Sequence, residues 1–326
     1  MTNAAPRLLV GLKPSDSTRA AIDRALPGVP WAFAEATPPP PTSEVEALLV
    51  GALDRGPLAS FDPRSAPRLA FVQRIYTGLD GFPFERFPPS VAVAGNVGAF
   101  APYVAEQAVM LALAAARDLN SAREKVAAGV LRPAPEERSL LGATVAILGL
   151  GSIGTEIARR VRPFGAHVVG VNRSGAASAE AERTFAADRL REALPGSAVV
   201  FEARPLTRRT ERSIGAAELA AMPEDGILVN VGRAATVDAD ALFDHLRGHT
   251  RFRAGFDVWW EEDYREGRLP DSARFAALPN FYGTPHCASV IPGAEARALT
   301  AALENLDRFF RDGRPRFVVD RSEYVD

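Results

Sequence analysis

The sequence predicts an α/β protein of two domains, each built on a parallel sheet. Three observations carry that prediction. The chain has 326 residues, more than one compact core commonly holds. Short apolar runs alternate with helical stretches twice, once over the first hundred residues and again from about residue 144. In the second series a glycine run, ILGLGSIG at 147–154, joins a β-branched strand to a helix with one apolar face.

The elements follow in order. The first series places strands at 8–12, 48–50, 69–73 and 91–94, with the run TPPPPT at 37–42 as loop. A long helix is expected over 102–120. Proline is tolerated in its first turn, and Val104, Ala108, Leu111, Ala112 and Ala115 recur at helical spacing. RPAPEER at 132–138 reads as a linker or surface loop. The second series places strands at 144–148, 167–171, 198–201, 227–231 and 254–258. Each is short and apolar, as strands buried on both faces are. An amphipathic helix around 294–310 and a closing RFVVD end the chain.

Composition narrows the function. Apolar residues make up 47% and charged residues 24%, so the chain reads as globular. A net charge of −2 lacks the basic footprint of a nucleic-acid binder. No apolar stretch is long enough to span a bilayer, and no signal-peptide core is seen. The one cysteine, Cys287, excludes an intramolecular disulfide and fits a reducing, cytoplasmic setting. No metal site is expected.

Gly149, Gly151 and Gly154 form G-x-G-x-x-G, a weak signal by itself. Its context strengthens it: TVAIL precedes, a helix with Ile153, Ile157, Ala158 and Val161 on one face follows, and HVVGV comes next. Such a βαβ unit binds a dinucleotide. The first glycine allows the tight turn, the second lets the backbone approach the pyrophosphate, and the third lets helix and strand pack closely. The helix start, with Ser152 and Ile153, offers N–H groups to the anion. An acidic residue for the adenosine ribose is expected at the end of the next strand, but Asn172-Arg173-Ser174 stands there. A guanidinium would pair with a 2′-phosphate that a carboxylate would repel. The sequence therefore favours NADP(H), with NAD(H) the alternative if Arg173 is only a solvated side chain.

Three further groups stand at the ends of later strands. LVNVGRAATVD carries Arg233, AGFDVWWEED carries Asp257 and Glu262, and TPHCAS carries His286. Reacting groups collect at the carboxyl ends of parallel strands, so these are expected to converge near the nicotinamide. Each has a plainer reading alone: a strand-end arginine is commonly a cap, and a histidine after Thr-Pro is commonly structural. His167, His245 and His249 match no motif and read as structural or exposed. Cys287 reads as a small buried side chain.

With these motifs in order, the chain resembles the D-isomer-specific 2-hydroxyacid dehydrogenases. The resemblance covers nearly the full length and includes VAEQAV at 104–109, the segment 203–230 before the arginine, and the closing RFVVD. It implies two Rossmann-like domains with the active site in the cleft between them. The dinucleotide-binding domain would run over 102–287, and a discontinuous substrate domain over 1–101 and 288–326. It implies that Arg233 holds the substrate's carboxylate and keto oxygen, that His286 protonates the carbonyl oxygen, and that Glu262 pairs with His286, with Glu261 the alternative one residue earlier. It implies that Asp257 lies near the nicotinamide carboxamide. RIYTGLDGF at 74–82 matches the substrate loop, where N–H groups around Thr77 and Gly78 would bind the carboxylate. Tyr76, Phe82 and Phe100 would shape the pocket or else pack in the core. A homodimer is implied.

Departures from the family pattern bear on the substrate. Arg233-Ala234 stands where Arg-Gly is usual, and Trp259-Trp260 is bulkier than the usual pair, so it could narrow the site or pack between subunits. Formate-oxidising relatives carry glutamine at the position of Glu262, which argues against formate. The expected activity is reduction of a small 2-keto acid, glyoxylate or hydroxypyruvate first, to the D-2-hydroxy acid. Alternatives are a bulkier keto acid such as phenylpyruvate, or a non-catalytic dinucleotide-sensing protein.

Overall fold

The computed structural model describes residues 5–53, 56–131, 137–262, 266–270 and 272–325. The linker expected at 132–138 lies mostly outside them. The chain forms two compact units, residues 1–100 with 292–326 and residues 101–291. Residues 288–291 thus fall in the second unit, past the boundary expected at 288. Asp257 explains this locally, because its carboxylate accepts the Ala288 N–H at 3.0 Å.

The first unit contains β1 (Leu8–Gly11), α1 (Asp16–Ala25), β2 (Trp31–Phe33), β3 (Ala47–Val50), β4 (Phe71–Arg74) and β5 (Ala92–Ala94). They form a parallel sheet in the order β2-β1-β3-β4-β5. β1 and β3 are buried along their whole length, which is why they read as unbroken apolar runs. One face packs Leu48, Val72, Phe82 and Phe84 into a core. Phe82 belongs to that core, stacked 5.4 Å from Phe87. Tyr76 is half exposed and lies parallel to Phe100 at 6.4 Å.

The second unit contains α2 (Ala101–Ala116), α3 (Leu119–Ala127), β6 (Thr144–Leu148), α4 (Ser152–Val161), β7 (His167–Asn172), β8 (Arg183–Ala186), β9 (Ser197–Glu202), α5 (Ala216–Ala220), β10 (Ile227–Asn230), α6 (Ala239–Gly248), β11 (Arg253–Phe256), α7 (Ser272–Ala276) and β12 (Phe281–Gly283). The chain then returns to the first unit as α8 (Ala294–Asp312). All seven strands are parallel, in the order β12-β11-β10-β9-β6-β7-β8. β6 therefore sits where the strand order reverses, the place where open α/β sheets bind ligands.

The long helix expected over 102–120 is two helices. Asp118 between them adopts a left-handed φ of 47°. Its carboxylate accepts from the Tyr282 hydroxyl at 2.9 Å and lies 3.5 Å from the Arg253 guanidinium. Partners far along the chain thus hold a turn that local periodicity does not reveal. Alanines on α2 let the helix lie close to the sheet: a Cβ on Gly255 would come within 3.1 Å of Leu111 Cβ. The Trp259 indole packs against Phe281 and Gly283, and Trp260 stacks on Phe275 at 4.7 Å.

His245 near the end of α6 sits edge-on to Phe252 and stacks on His249 with centroids 4.1 Å apart; its Nε2 has no hydrogen-bond partner. Burial, then the charge of His249, pushes its pKa down from 6.5 to about 4. The unfolded ring takes a proton near its ordinary value, so between about 6.5 and 4 the unfolded state binds more protons. Stability should therefore fall as pH drops through that window, by about 1–2 kcal/mol once solvent screening of a half-buried ring is allowed for. A His245→Phe variant should show a flatter melting temperature over the same range. Parallel melting profiles for the two proteins would assign the loss to other groups.

Candidate active site

The glycine turn follows β6. Gly149 has a φ of 96°, and a Cβ there would meet the Arg204 backbone nitrogen at 2.9 Å. A Cβ on Gly154 would lie 2.3 Å from Gly149 O and 2.9 Å from Ile147, so this glycine is needed for helix and strand to touch. At Gly151 a Cβ would meet nothing within 4 Å, so packing within the protein does not explain that glycine. It is the N-cap of α4 and offers no side chain to the first-turn N–H groups of Ser152, Ile153 and Gly154. The turn thus presents donors and bare backbone on one side, and it fits a dinucleotide pyrophosphate.

At the end of β7 the Asn172 side chain shapes the following loop. Its Oδ1 accepts from the N–H groups of Ser174 and Gly175, and its Nδ2 donates to Ala176 O at 2.8 Å. Arg173 and Ser174 are exposed on that loop.

β10, β11 and β12 are neighbours in one parallel sheet, so the groups after their ends share its carboxyl edge. Arg233 stands three residues past β10. Its carbonyl accepts from Asn230 Nδ2 at 3.0 Å and Thr236 Oγ1 at 2.8 Å, and its Nη1 donates to Gly232 O at 2.8 Å. Ala234, where the family pattern has glycine, begins a short 3-10 turn with negative φ, so its methyl causes no backbone strain.

Asp257 follows β11 and is 1% exposed. Its Oδ1 accepts from Thr284 Oγ1 at 2.6 Å and Cys287 N at 3.0 Å, and its Oδ2 from Ala288 N. Burial, and then the Asp257 charge, pushes the Cys287 thiol up, so it stays protonated. His286 lies past β12 with a φ of 50°. Its Nδ1 meets Glu262 Oε1 at 2.8 Å, and the same oxygen accepts the Trp259 N–H at 3.0 Å. Glu261 is exposed, so Glu262 is the carboxylate that faces the imidazole. The structure thus joins Glu262 to His286 and ties Asp257 to the loop carrying His286. Thr77 and Gly78 lie in the first unit after β4. Thr77 Oγ1 donates to Asn96 O, and Gly78 O accepts from Arg74.

Sequence reasoning missed three contributors. Glu202 and Arg204 form a buried pair at the end of β9, with Arg204 Nη2 2.6 Å from Glu202 Oε2. The Arg204 backbone is wedged between turns: a Cβ on Gly232 would lie 2.6 Å from its carbonyl oxygen, and Gly149 backs onto its nitrogen. The available signal was an acid and a base two residues apart where an apolar strand ends. Gln107 on α2 is the third, with its Nε2 2.9 Å from Thr284 Oγ1.

Among the described residues no three His, Cys, Asp or Glu side chains could hold a metal ion, and no helix is long and apolar enough to cross a membrane.

Comparison with known proteins agrees with this arrangement. The family model for the D-isomer specific 2-hydroxyacid dehydrogenase NAD binding domain matches residues 109–288. A glyoxylate reductase from Thermococcus gammatolerans is 30% identical over 85% of this chain and 84% of its own length. A protein from Pyrobaculum aerophilum, provisionally named as a formate dehydrogenase, superposes with a TM-score of 0.84 at 30% identity, covering 98% of this chain and 100% of that one. A D-isomer specific 2-hydroxyacid dehydrogenase from Xanthobacter autotrophicus, solved with NADPH and MES, gives a TM-score of 0.81 at 25% identity over 98% and 100% of the two chains. The chain belongs to the D-isomer specific 2-hydroxyacid dehydrogenases, a family of nicotinamide-dependent oxidoreductases.

Proposed function

We propose that this protein reduces a small 2-keto acid, glyoxylate or hydroxypyruvate, to the D-2-hydroxy acid with NADPH. The observation that carries the proposal is the His286–Glu262 contact at 2.8 Å on the carboxyl edge that also bears Arg233 and the glycine turn. Gly149, Gly151, Gly154 and the N–H groups of Ser152 and Ile153 would hold the pyrophosphate, and Asn172, Arg173 and Ser174 the adenosine ribose and its 2′-phosphate. The bound cofactor supplies a hydride to the carbonyl carbon.

The chain's own residues do the rest. Arg233 binds the substrate carboxylate with a planar fork of donors and directs a further N–H to the keto oxygen. Charge that develops on the keto oxygen meets a donor already aimed at it. His286 faces Glu262 through Nδ1, so Nε2 gives its proton to that oxygen. The Glu262 carboxylate meets the ring at Nδ1 and fixes its orientation. In the reverse direction the neutral imidazole takes the hydroxyl proton. The name of the Pyrobaculum relative does not move this reading to formate, because formate-oxidising relatives carry glutamine where this chain has Glu262.

Steady-state rates with a panel of 2-keto acids, using NADPH and NADH in parallel, test the proposal. Glyoxylate or hydroxypyruvate should turn over with kcat/KM about tenfold or more higher with NADPH, the range of one charge-assisted contact. Arg173→Ala should erase most of that preference by raising KM for NADPH alone. A wild-type preference for NADH would remove the 2′-phosphate role. Negligible turnover of every keto acid, with the dinucleotide still bound, would favour a sensor.

We also propose a homodimer. Apolar side chains left exposed between 119 and 141, among them Val126 (80%) and Leu131 (99%), support a self-contact on this stretch of the second unit. Light scattering should give the mass of two chains, and a monomer mass overturns this.

A further inference from the structure

The loop carrying His286 is held in a conformation it would not choose alone. A histidine at φ 50° is in the left-handed region, which a side chain with a Cβ disfavours. Such a residue keeps its conformation only where its surroundings impose it. Those surroundings are the two N–H groups that follow it, Cys287 and Ala288, both donated to the buried Asp257 carboxylate at 3.0 Å. Asp257 is itself anchored by the Thr284 hydroxyl at 2.6 Å. Gln107 closes the set: its Nε2 lies 2.9 Å from Thr284 Oγ1, 3.3 Å from Asp257 Oδ1 and 3.8 Å from Cys287 Sγ. Trp259 fastens the start of the loop, with its indole N–H donated to Thr284 O at 2.8 Å.

The position of Gln107 follows from the packing of α2. Leu111 presses on Gly255 of β11, and Gln107 lies one helical turn earlier, level with Asp257 just past the end of that strand. A hydrophobic residue there would leave the half-buried Thr284 hydroxyl and the buried Asp257 carboxylate one donor short. The Thr284 hydroxyl has one hydrogen, and Asp257 takes it. The Gln107 amide then donates to the same hydroxyl oxygen and orients it.

We infer that Gln107 and Thr284 are positioning residues: they fix Asp257 against the Cys287 and Ala288 amides, and so hold His286 in the left-handed conformation that aims its imidazole at the substrate. Both act through Asp257. The inference rests on His286 being the acid, as proposed above.

The test uses the full chain with Gln107→Met, which keeps length and removes the amide, and Thr284→Val, which keeps shape and removes the hydroxyl. Each should lower kcat for keto-acid reduction about tenfold or more, with KM for the keto acid and Kd for the dinucleotide within about twofold. The pH profile of kcat should differ from wild type in both. Thr284→Ser, which restores the hydroxyl, should recover to within about threefold of wild type. In a His286→Asn background, adding Gln107→Met should cost nothing further, because no imidazole remains to position.

If His286→Asn abolishes turnover while Gln107→Met and Thr284→Val keep wild-type kcat and pH profile, the inference falls and His286 stands. If His286→Asn keeps full activity, the reading of His286 falls first. If the two variants raise the dinucleotide Kd and leave kcat unchanged, the cluster serves the cofactor, and the inference is overturned. Should Gln107→Met not fold, the Thr284→Val and Thr284→Ser pair carries the same comparison.

Discussion

Replacing His286 with asparagine is expected to lower kcat for keto-acid reduction by about 10²–10⁴, the usual contribution of a positioned general acid. Asparagine is the sharper choice over alanine. It accepts a left-handed φ readily, so the loop at φ 50° keeps its shape while the proton donor is lost. Glu262 keeps the Trp259 N–H as a donor, so the fold should tolerate the change. Dinucleotide affinity should be unchanged. Reduction draws on the proton at Nε2 and oxidation of the hydroxy acid returns it there, so the variant should lose both directions. Glu262→Gln exchanges the carboxylate that meets His286 Nδ1 for an amide, so kcat should fall while dinucleotide affinity stays. A His286→Asn enzyme with wild-type kcat, where chemistry limits the rate, would remove histidine from the reaction.

What the sequence made legible depends on how local each requirement is. The glycine turn was readable because the positive φ of Gly149 and the strand–helix contact at Gly154 exclude side chains within one short segment. The buried strands β6, β9 and β10 were readable because parallel strands covered on both faces are nearly continuous apolar runs. β2, β8 and β12 were not. They are three or four residues long and lie at sheet edges, where exposed positions break the pattern. The break at Asp118 depends on Tyr282 and Arg253, more than 130 residues away in sequence, and periodicity has no access to such partners. The same reason hid Gln107, whose bonds reach residues 150 and 177 positions along the chain. Trp259 and Trp260 were visible as bulky residues, but which way they point follows from where Gly283, Phe281 and Phe275 lie. Side chains with a recognisable chemistry are therefore easier to read than the residues that hold them: the first have an identity in the sequence, and the support has only a place.

Arg233→Ala is expected to cost kcat/KM about 10³-fold, in the range for removing one partner of a hydrogen-bonded charge pair. The loss should divide in a particular way. The contact with the substrate carboxylate is present before and during reaction, so its removal raises KM. The contact with the keto oxygen strengthens as charge develops there, so its removal lowers kcat. Arg233→Lys should recover part of the first and little of the second, because an ammonium keeps the charge but has no planar fork to span both groups. Structural damage should be small. The bonds holding this turn from Asn230 and Thr236 go to the Arg233 carbonyl, which any residue supplies, and Arg233 itself is only partly buried. The melting temperature should therefore stay within a few degrees of wild type while activity collapses. Added guanidinium should restore some turnover to the alanine variant and none to wild type beyond its own rate. If Arg233→Ala leaves KM for the keto acid unchanged, Arg233 does not bind the substrate carboxylate, and this role falls.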